Sequence, residues 1–277
     1  VPAARLTPRL NTFSSPPPRQ NGLPPRERSS SDRGRAEGAQ VLVVIGVIAG
    51  GLALDQHVVL WGQALTNAGV WALFLWWLRN AGSRQRLRLT ACLVYATAGE
   101  IFLSLAWGLY DYRLANIPLF VPPGHALLFT LGFLLAARVR DWIVWATPIA
   151  ALPFVLVLVL TGTGTLDALL FALFLACLLF GSARRLYAVM FVLALAMEIY
   201  GTWLGNWTWA PGVPWLGLTS VNPPLAAGAF YCVLDLLVVA TVARIGPADT
   251  GAAVPQPTQS SRSAATTGIA AGASRGC

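Results

Sequence analysis

Lysine is absent from this sequence, and all nineteen basic residues are arginine. Charge of either sign is scarce, at 11 % of residues, where a soluble domain carries roughly 25 %. Cysteine is rare. Cys92, Cys177 and Cys232 lie in apolar runs, Cys277 ends the chain, and no CxxC or Cys/His cluster exists. A zinc site and a disulfide framework are thereby excluded, which leaves the thiols as packing residues. No Walker loop, GxSxG, HExxH or dinucleotide fingerprint stands in a fitting context, so no nucleotide or metal cofactor is indicated. What the chain has in abundance is apolar surface: 56 % of its residues are hydrophobic and the mean hydropathy is +0.63. Such a chain cannot hide its side chains around one core, and lipid is the simpler solvent for it. The net charge of +8 does not point to nucleic acid, because the arginines sit in tails and short loops, as residues that set membrane topology do.

Residues 1–38 are rich in Pro, Arg and Ser, with Pro16-Pro17-Pro18 and Pro24-Pro25, and lack apolar periodicity. They are expected to form a disordered tail, as are the Ala/Gly/Ser/Thr-rich residues 246–277. Val1 in place of Met suggests a fragment or a start at a non-ATG codon. Between the tails, over 39–245, apolar runs long enough to span about 30 Å alternate with short breaks. The expected spans lie near 40–56, 58–78, 88–109, 123–138, 142–161, 165–182, 186–205 and 223–243. Eighteen of the nineteen arginines fall in tails and breaks on one side, and Arg113 alone on the other. That asymmetry requires an even number of spans and places both termini in the cytoplasm. The fold class expected is all-α, a polytopic membrane protein of about eight transmembrane helices. The arginine-only, alanine-rich composition suggests a high-GC bacterium and its inner membrane.

Two stretches repeat each other. The first reads Glu100-Ile101-Phe102, then Gly108-Leu109-Tyr110-Asp111-Tyr112, Ile117-Pro118-Leu119 and Pro122-Pro123. The second reads Glu198-Ile199-Tyr200, then Gly205-Asn206-Trp207-Thr208-Trp209, Val213-Pro214-Trp215 and Pro223-Pro224. Several rare residue types recur in one order at nearly one spacing, four spans apart. Residues 39–138 and 142–243 are therefore expected to be parallel repeats about an axis along the membrane normal. Pro123 and Pro223 suit the first turns of their helices, with Asn222 a candidate N-cap.

Glu100 and Glu198 each fall within a span, roughly 13–15 Å of helix below the outer aromatic pair. An ionised carboxylate at such depth costs about 2.5–3.5 kcal/mol on insertion scales, so both are expected to face the bundle interior, where burial favours the protonated acid. Ser104 and Thr202 follow at i+4 on the same faces, placed to bond the carboxyls or a ligand. Asp235, one turn after Tyr231, is a third acid within a span. The aromatic sets Trp107, Tyr110, Tyr112 and Trp203, Trp207, Trp209, Trp215 read either as an interfacial belt or as a cage over a hydrophobic ligand whose rings stabilise a cation. Asn206 and Asn222 sit at the same level. His125 opens the fourth span and reads as a proton relay or as an interfacial cap. His57, near Asp55 in the first outer loop, reads as turn chemistry. The acids also fit protonated ties between helices in a passive bundle.

The repeated unit resembles the motif of the membrane carotenoid hydratases, the bisanhydrobacterioruberin hydratase type. In that family an intramembrane Glu is followed by Gly-Thr, then Gly-x-Tyr-x-Tyr, then a proline-rich stretch into the next helix. Glu198-Ile199-Tyr200-Gly201-Thr202 matches the first part, and Gly108-Leu109-Tyr110-Asp111-Tyr112 with Ile117-Pro118 and Val121-Pro122 matches the rest. Trp207 and Trp209 stand where that family has tyrosines. The resemblance implies a lyase that adds water across an isoprenoid double bond. Glu100 or Glu198 would supply the proton, Tyr and Trp faces would steady the tertiary cation, and Asp235 or His125 would serve as base. The expected partners are the bilayer and a hydrophobic small-molecule or lipid substrate. A small proton-coupled transporter and a non-catalytic scaffold share the same sequence features.

Overall fold

The computed structural model describes residues 30–246. The chain divides into two units between Val43 and Val44, and every site residue lies in the second. Among the described residues the α-helices are α1 Ser30–His57, α2 Gly62–Asn80, α3 Ser83–Glu100, α4 Val121–Ala136, α5 Ile143–Leu160, α6 Leu166–Phe180, α7 Arg184–Leu204 and α8 Gly228–Ile245. Two short strands, β1 Tyr110–Tyr112 and β2 Trp207–Trp209, complete the fold. Among the described residues, five segments are long and apolar enough to cross a membrane: α1 from Gly34, α3 with its extension to Ala106, α5, α7 and α8. Helices α4 and α6 are apolar but shorter, and α2 is diluted by Gln63, Thr66 and Asn67.

Each expected span overlaps one of these helices, with shifted ends, and three differences bear on the reading. Helix α1 starts at Ser30, so residues 30–38 are helical and not a tail; the expectations for 1–29 and 247–277, Cys277 included, lie outside the described residues. Regular α-helical bonding ends at Glu100, and Ile101–Ala106 continues as a wider π-helical segment, in which the Trp107 N–H reaches back to Phe102 O at 2.7 Å. Helix α8 starts at Gly228, not at Pro223. The intervening backbone is engaged elsewhere, since the Ala226 N–H donates to Asp167 Oδ1 at 2.6 Å. Asn222 is accordingly no N-cap; its Oδ1 accepts the Trp209 N–H at 3.1 Å. Pro122 and Pro123 do open α4, where a missing N–H leaves no bond unmade.

Helices α3, α4, α7 and α8 pack together, α5 lies against α6 and α7, α6 lies against α7 and α8, and α2 lies against α3 and α4. Helices α7 and α8 come close together, since a Cβ on Gly228 would sit 2.5 Å from Phe191 O and 2.8 Å from its Cα. Large apolar side chains such as Ile149, Phe154, Leu160, Phe180 and Trp203 point outward. A surface of that kind suits hydrocarbon and not water.

Arginines of the interhelical breaks are engaged at the helix ends. There Arg86 donates to the last carbonyls of α2, Leu78 O at 3.1 Å and Arg79 O at 2.9 Å. Arg88 lies 4.5 Å over the Phe133 ring, and Arg185 pairs with Asp141. The opposite end carries β1 and β2. Arg113, the one arginine at that end among the described residues, has a specific partner in Asp55, which is 2 % exposed. Its Nη2 donates to Asp55 O at 2.6 Å and to Asp55 Oδ1 at 3.3 Å, while Asn206 Nδ2 donates to Asp55 Oδ2 at 2.8 Å. Asp55 therefore pins the end of α1 to both strands, well beyond the turn chemistry expected of its loop. Arg113→Met, which keeps the apolar stem, is expected to lower stability by about 1–3 kcal/mol, the cost of leaving a buried polar group short of partners. The unfolding midpoint in detergent measures it.

Candidate active site

Tyr110-x-Tyr112 and Trp207-x-Trp209 alternate with the period of a strand, so each pair of rings points to one face. The two strands pair antiparallel, Tyr110 opposite Trp209 and Tyr112 opposite Trp207. All four rings are buried, while Asp111 and Thr208 between them are exposed. Gly108 at φ 72° and Gly205 at φ 85° turn the chain from each helix into its strand, a left-handed conformation that a side chain would strain. The ribbon thus folds back over the helix ends it came from.

That fold-back closes the gap expected between the aromatics and the glutamates. Glu100 Oε2 accepts the Tyr110 hydroxyl at 2.9 Å and the Tyr112 hydroxyl at 2.7 Å. Glu198 Oε2 accepts the Trp207 and Trp209 indole N–H groups at 2.8 and 3.0 Å. The second oxygen of each carboxyl meets a residue of the following helix pair. Glu100 Oε1 shares a hydrogen bond of 2.9 Å with His125 Nε2, and Glu198 Oε1 accepts the Tyr231 hydroxyl at 3.0 Å. Each glutamate therefore has three partners, arranged alike. Three ring contacts join the clusters: Tyr110 against Trp209 at 4.8 Å between centroids, Tyr112 against Trp207 at 6.2 Å, and His125 stacked on Tyr231 at 4.9 Å. Burial, and after it the Glu100 charge, pushes the Tyr110 and Tyr112 phenols up, so both stay protonated donors.

Both glutamates line one cavity of about 110 Å³ that opens to a mouth. That space is close to the roughly 150 Å³ that holds one benzene ring, so it admits part of an apolar chain. The ribbon rings and the two carboxyls form its head. Below them the wall is apolar, with Ile48 and Leu52 from α1, Val70 from α2, Ala96 from α3, Met197 from α7 and Leu234 from α8. Toward the arginine end the bundle is filled by Leu89, Cys92, Val238 and Val242, all buried, and Tyr95 is tied to Thr241 across α3 and α8 at 2.8 Å.

The structure brings together Glu100, Glu198, His125, Tyr110, Tyr112, Trp207, Trp209 and Tyr231. Others expected at the site point elsewhere. Ser104 donates to Tyr110 O at 3.0 Å, and Thr202 donates to its own helix at Glu198 O, 2.7 Å. Neither hydroxyl reaches a carboxyl, because local backbone carbonyls are nearer. Trp107 donates to Pro214 O at 3.0 Å and stacks with Trp215 at 6.4 Å, bracing the outer loop. Asn206 serves Asp55, and Asn222 orders β2. Asp235 is fully buried but does not line the cavity, and neither of its oxygens has a hydrogen-bond partner. Its neighbour Leu234 takes the cavity wall instead. Phe120 and Phe230, which the sequence reading passed over, also line the cavity; Asp167, passed over likewise, and Asp55, read only as part of a turn, hold its frame. Among the described residues no group of three or more His, Cys, Asp or Glu is placed to hold a metal ion.

No protein-family model, no curated protein and no solved structure matches this chain. Its class is therefore defined by the molecule itself: a helical protein, apolar enough for a bilayer, with paired glutamates at the head of a buried apolar cavity.

Proposed function

We propose that the chain is an enzyme of the bacterial inner membrane that adds water to an isoprenoid or carotenoid lipid, using intramembrane carboxylic acids. The reading takes all eight helices as membrane crossings, with both termini cytoplasmic and the ribbon at the outer face. Residues 39–138 and 142–243 are then two parallel repeats. The ribbon supports that relation, because its antiparallel register sets the two motifs about a local two-fold axis, with each glutamate bonded to the aromatic pair of its own repeat.

The observation that carries the proposal is the company the two glutamates keep. They share one cavity whose remaining wall is hydrocarbon and aromatic. Alkene protonation is the hard step of hydration, and it needs an acid in a dry place. The cation that follows needs electron-rich faces and a nearby negative charge. This cavity has both. A passive scaffold has no use for paired acids at the head of an apolar cavity, and the proton-coupled carrier is separated by the uptake test below.

Lipids extracted from cells with and without the gene test the reading by mass. It predicts an isoprenoid species heavier by one water only where the gene is present. Identical lipid profiles, with proton-driven uptake by proteoliposomes of the purified protein, would assign it to transport and overturn hydration.

A further inference from the structure

The two carboxyls have matching geometry but unlike partners, and the difference divides their labour. An indole N–H only donates and never titrates in water, so the two tryptophans fix Glu198 Oε2 as an acceptor. The third partner of Glu198, the Tyr231 hydroxyl at 3.0 Å, titrates far above neutrality. Nothing touching Glu198 exchanges a proton at ordinary pH. Glu100 is held by two phenols on Oε2, but its Oε1 meets an imidazole, the one side chain whose unperturbed charge change falls between about pH 5 and 8. His125 Nδ1 has no partner, so the ring is free to take either tautomer.

From this asymmetry we infer that Glu100 and His125 form the proton-carrying couple of the site, while Glu198 is a fixed acceptor that faces the charge the couple creates. The inference rests on the hydration reading for its chemistry but not for its test. In that chemistry, the couple's proton goes to one alkene carbon, forming a C–H bond and a tertiary cation at the other. A water oxygen then forms the C–O bond to the cation, and the proton it sheds returns to the couple. One water is consumed, and the couple ends as it began. Glu198, across the cavity and tied by three donors, offers the cation a negative pole without competing for the proton. Tyr110 and Tyr112 are positioning residues, since they hold Oε2 and leave Oε1 to His125. The titratable groups facing Glu100 are Tyr110 and Tyr112 from β1 and His125 from α4, with Glu198 from α7 and Tyr231 from α8 beyond them.

Infrared spectra of the full-length protein in lipid nanodiscs, recorded before and after transfer into heavy water, decide the assignment without a substrate. One carboxylic-acid band is expected to shift on exchange in the wild type, to vanish in Glu100→Gln, to exchange more slowly in His125→Phe and to persist in Glu198→Gln. Loss of the band in Glu198→Gln, with retention in Glu100→Gln, would overturn the division, as would a wild type with no exchanging carboxylic-acid band. The lipid analysis stands apart from this test: an exchanging Glu100 without a hydrated product would sink the reaction and leave the couple in place, and the reverse result would do the opposite.

Discussion

Glu198→Leu is expected to cost the protein about 3 kcal/mol or more of stability, the sum for three buried donors each left without an acceptor at about 1–3 kcal/mol. The donors are the Trp207 and Trp209 indoles and the Tyr231 hydroxyl. None has room to turn elsewhere. Trp207 packs on Gly201, where an added Cβ would overlap its ring, and Trp209 lies between Tyr110 and Phe230. Trp207→Phe removes one donor and keeps most of the ring, so its loss should be about a third as large. Cys92, Cys177 and Cys232 are buried free thiols, so labelling by a thiol-reactive dye during heating reads the unfolding midpoint directly. An unchanged midpoint in Glu198→Leu would mean that the indoles and phenol do not depend on that carboxyl.

The same contacts explain what could be read from the sequence. Glu100 and Glu198 were legible because an acid within an apolar run must have a reason to be there, and two such acids before matching aromatic pairs are hard to ascribe to chance. The pairing of the aromatics was legible only in part. Tyr-x-Tyr and Trp-x-Trp carry the alternation of a strand, but two three-residue strands from distant parts of the chain find each other through tertiary structure alone. Their distance from the glutamates was misjudged for a related reason. Counting 1.5 Å of rise per residue assumes a straight helix, whereas the π-helical segment after Glu100 and the left-handed Gly108 and Gly205 return the chain onto itself.

Asp235 shows where periodicity loses its power. Tyr231 and Asp235 are one turn apart, which suggests a common face, yet Tyr231 and Leu234 line the cavity and Asp235 does not. Helix α8 is packed by α3, α6 and α7 on different sides, so its pattern marks no single face as the functional one. Ser104 and Thr202 failed for a local reason, since a short hydroxyl on a helix finds a backbone carbonyl before it finds a neighbour across the bundle. Asp55 could have been found by asking what Arg113, alone among the arginines at its end, was there to meet.

Glu100→Gln is expected to lower formation of the hydrated lipid by about 10²- to 10⁴-fold, the range by which a positioned acid accelerates a proton transfer. Glutamine has the shape of glutamate, and its carbonyl oxygen can still accept from Tyr110 and Tyr112, so the cavity should keep its form. What the amide lacks is a proton to release. His125→Phe keeps the ring face toward Tyr231, a contact now at 4.9 Å between centroids, and removes only the nitrogen that meets Glu100; its product should fall with the same sign but by less, because the acid itself remains. Comparing hydrated lipid per unit of membrane-inserted protein, with thiol labelling as the check on folding, separates lost chemistry from lost structure. Equal product from Glu100→Gln and wild type would remove Glu100 from the proton path. A large deficit with an unchanged unfolding midpoint would place the chemistry on the one carboxyl oxygen that faces an imidazole.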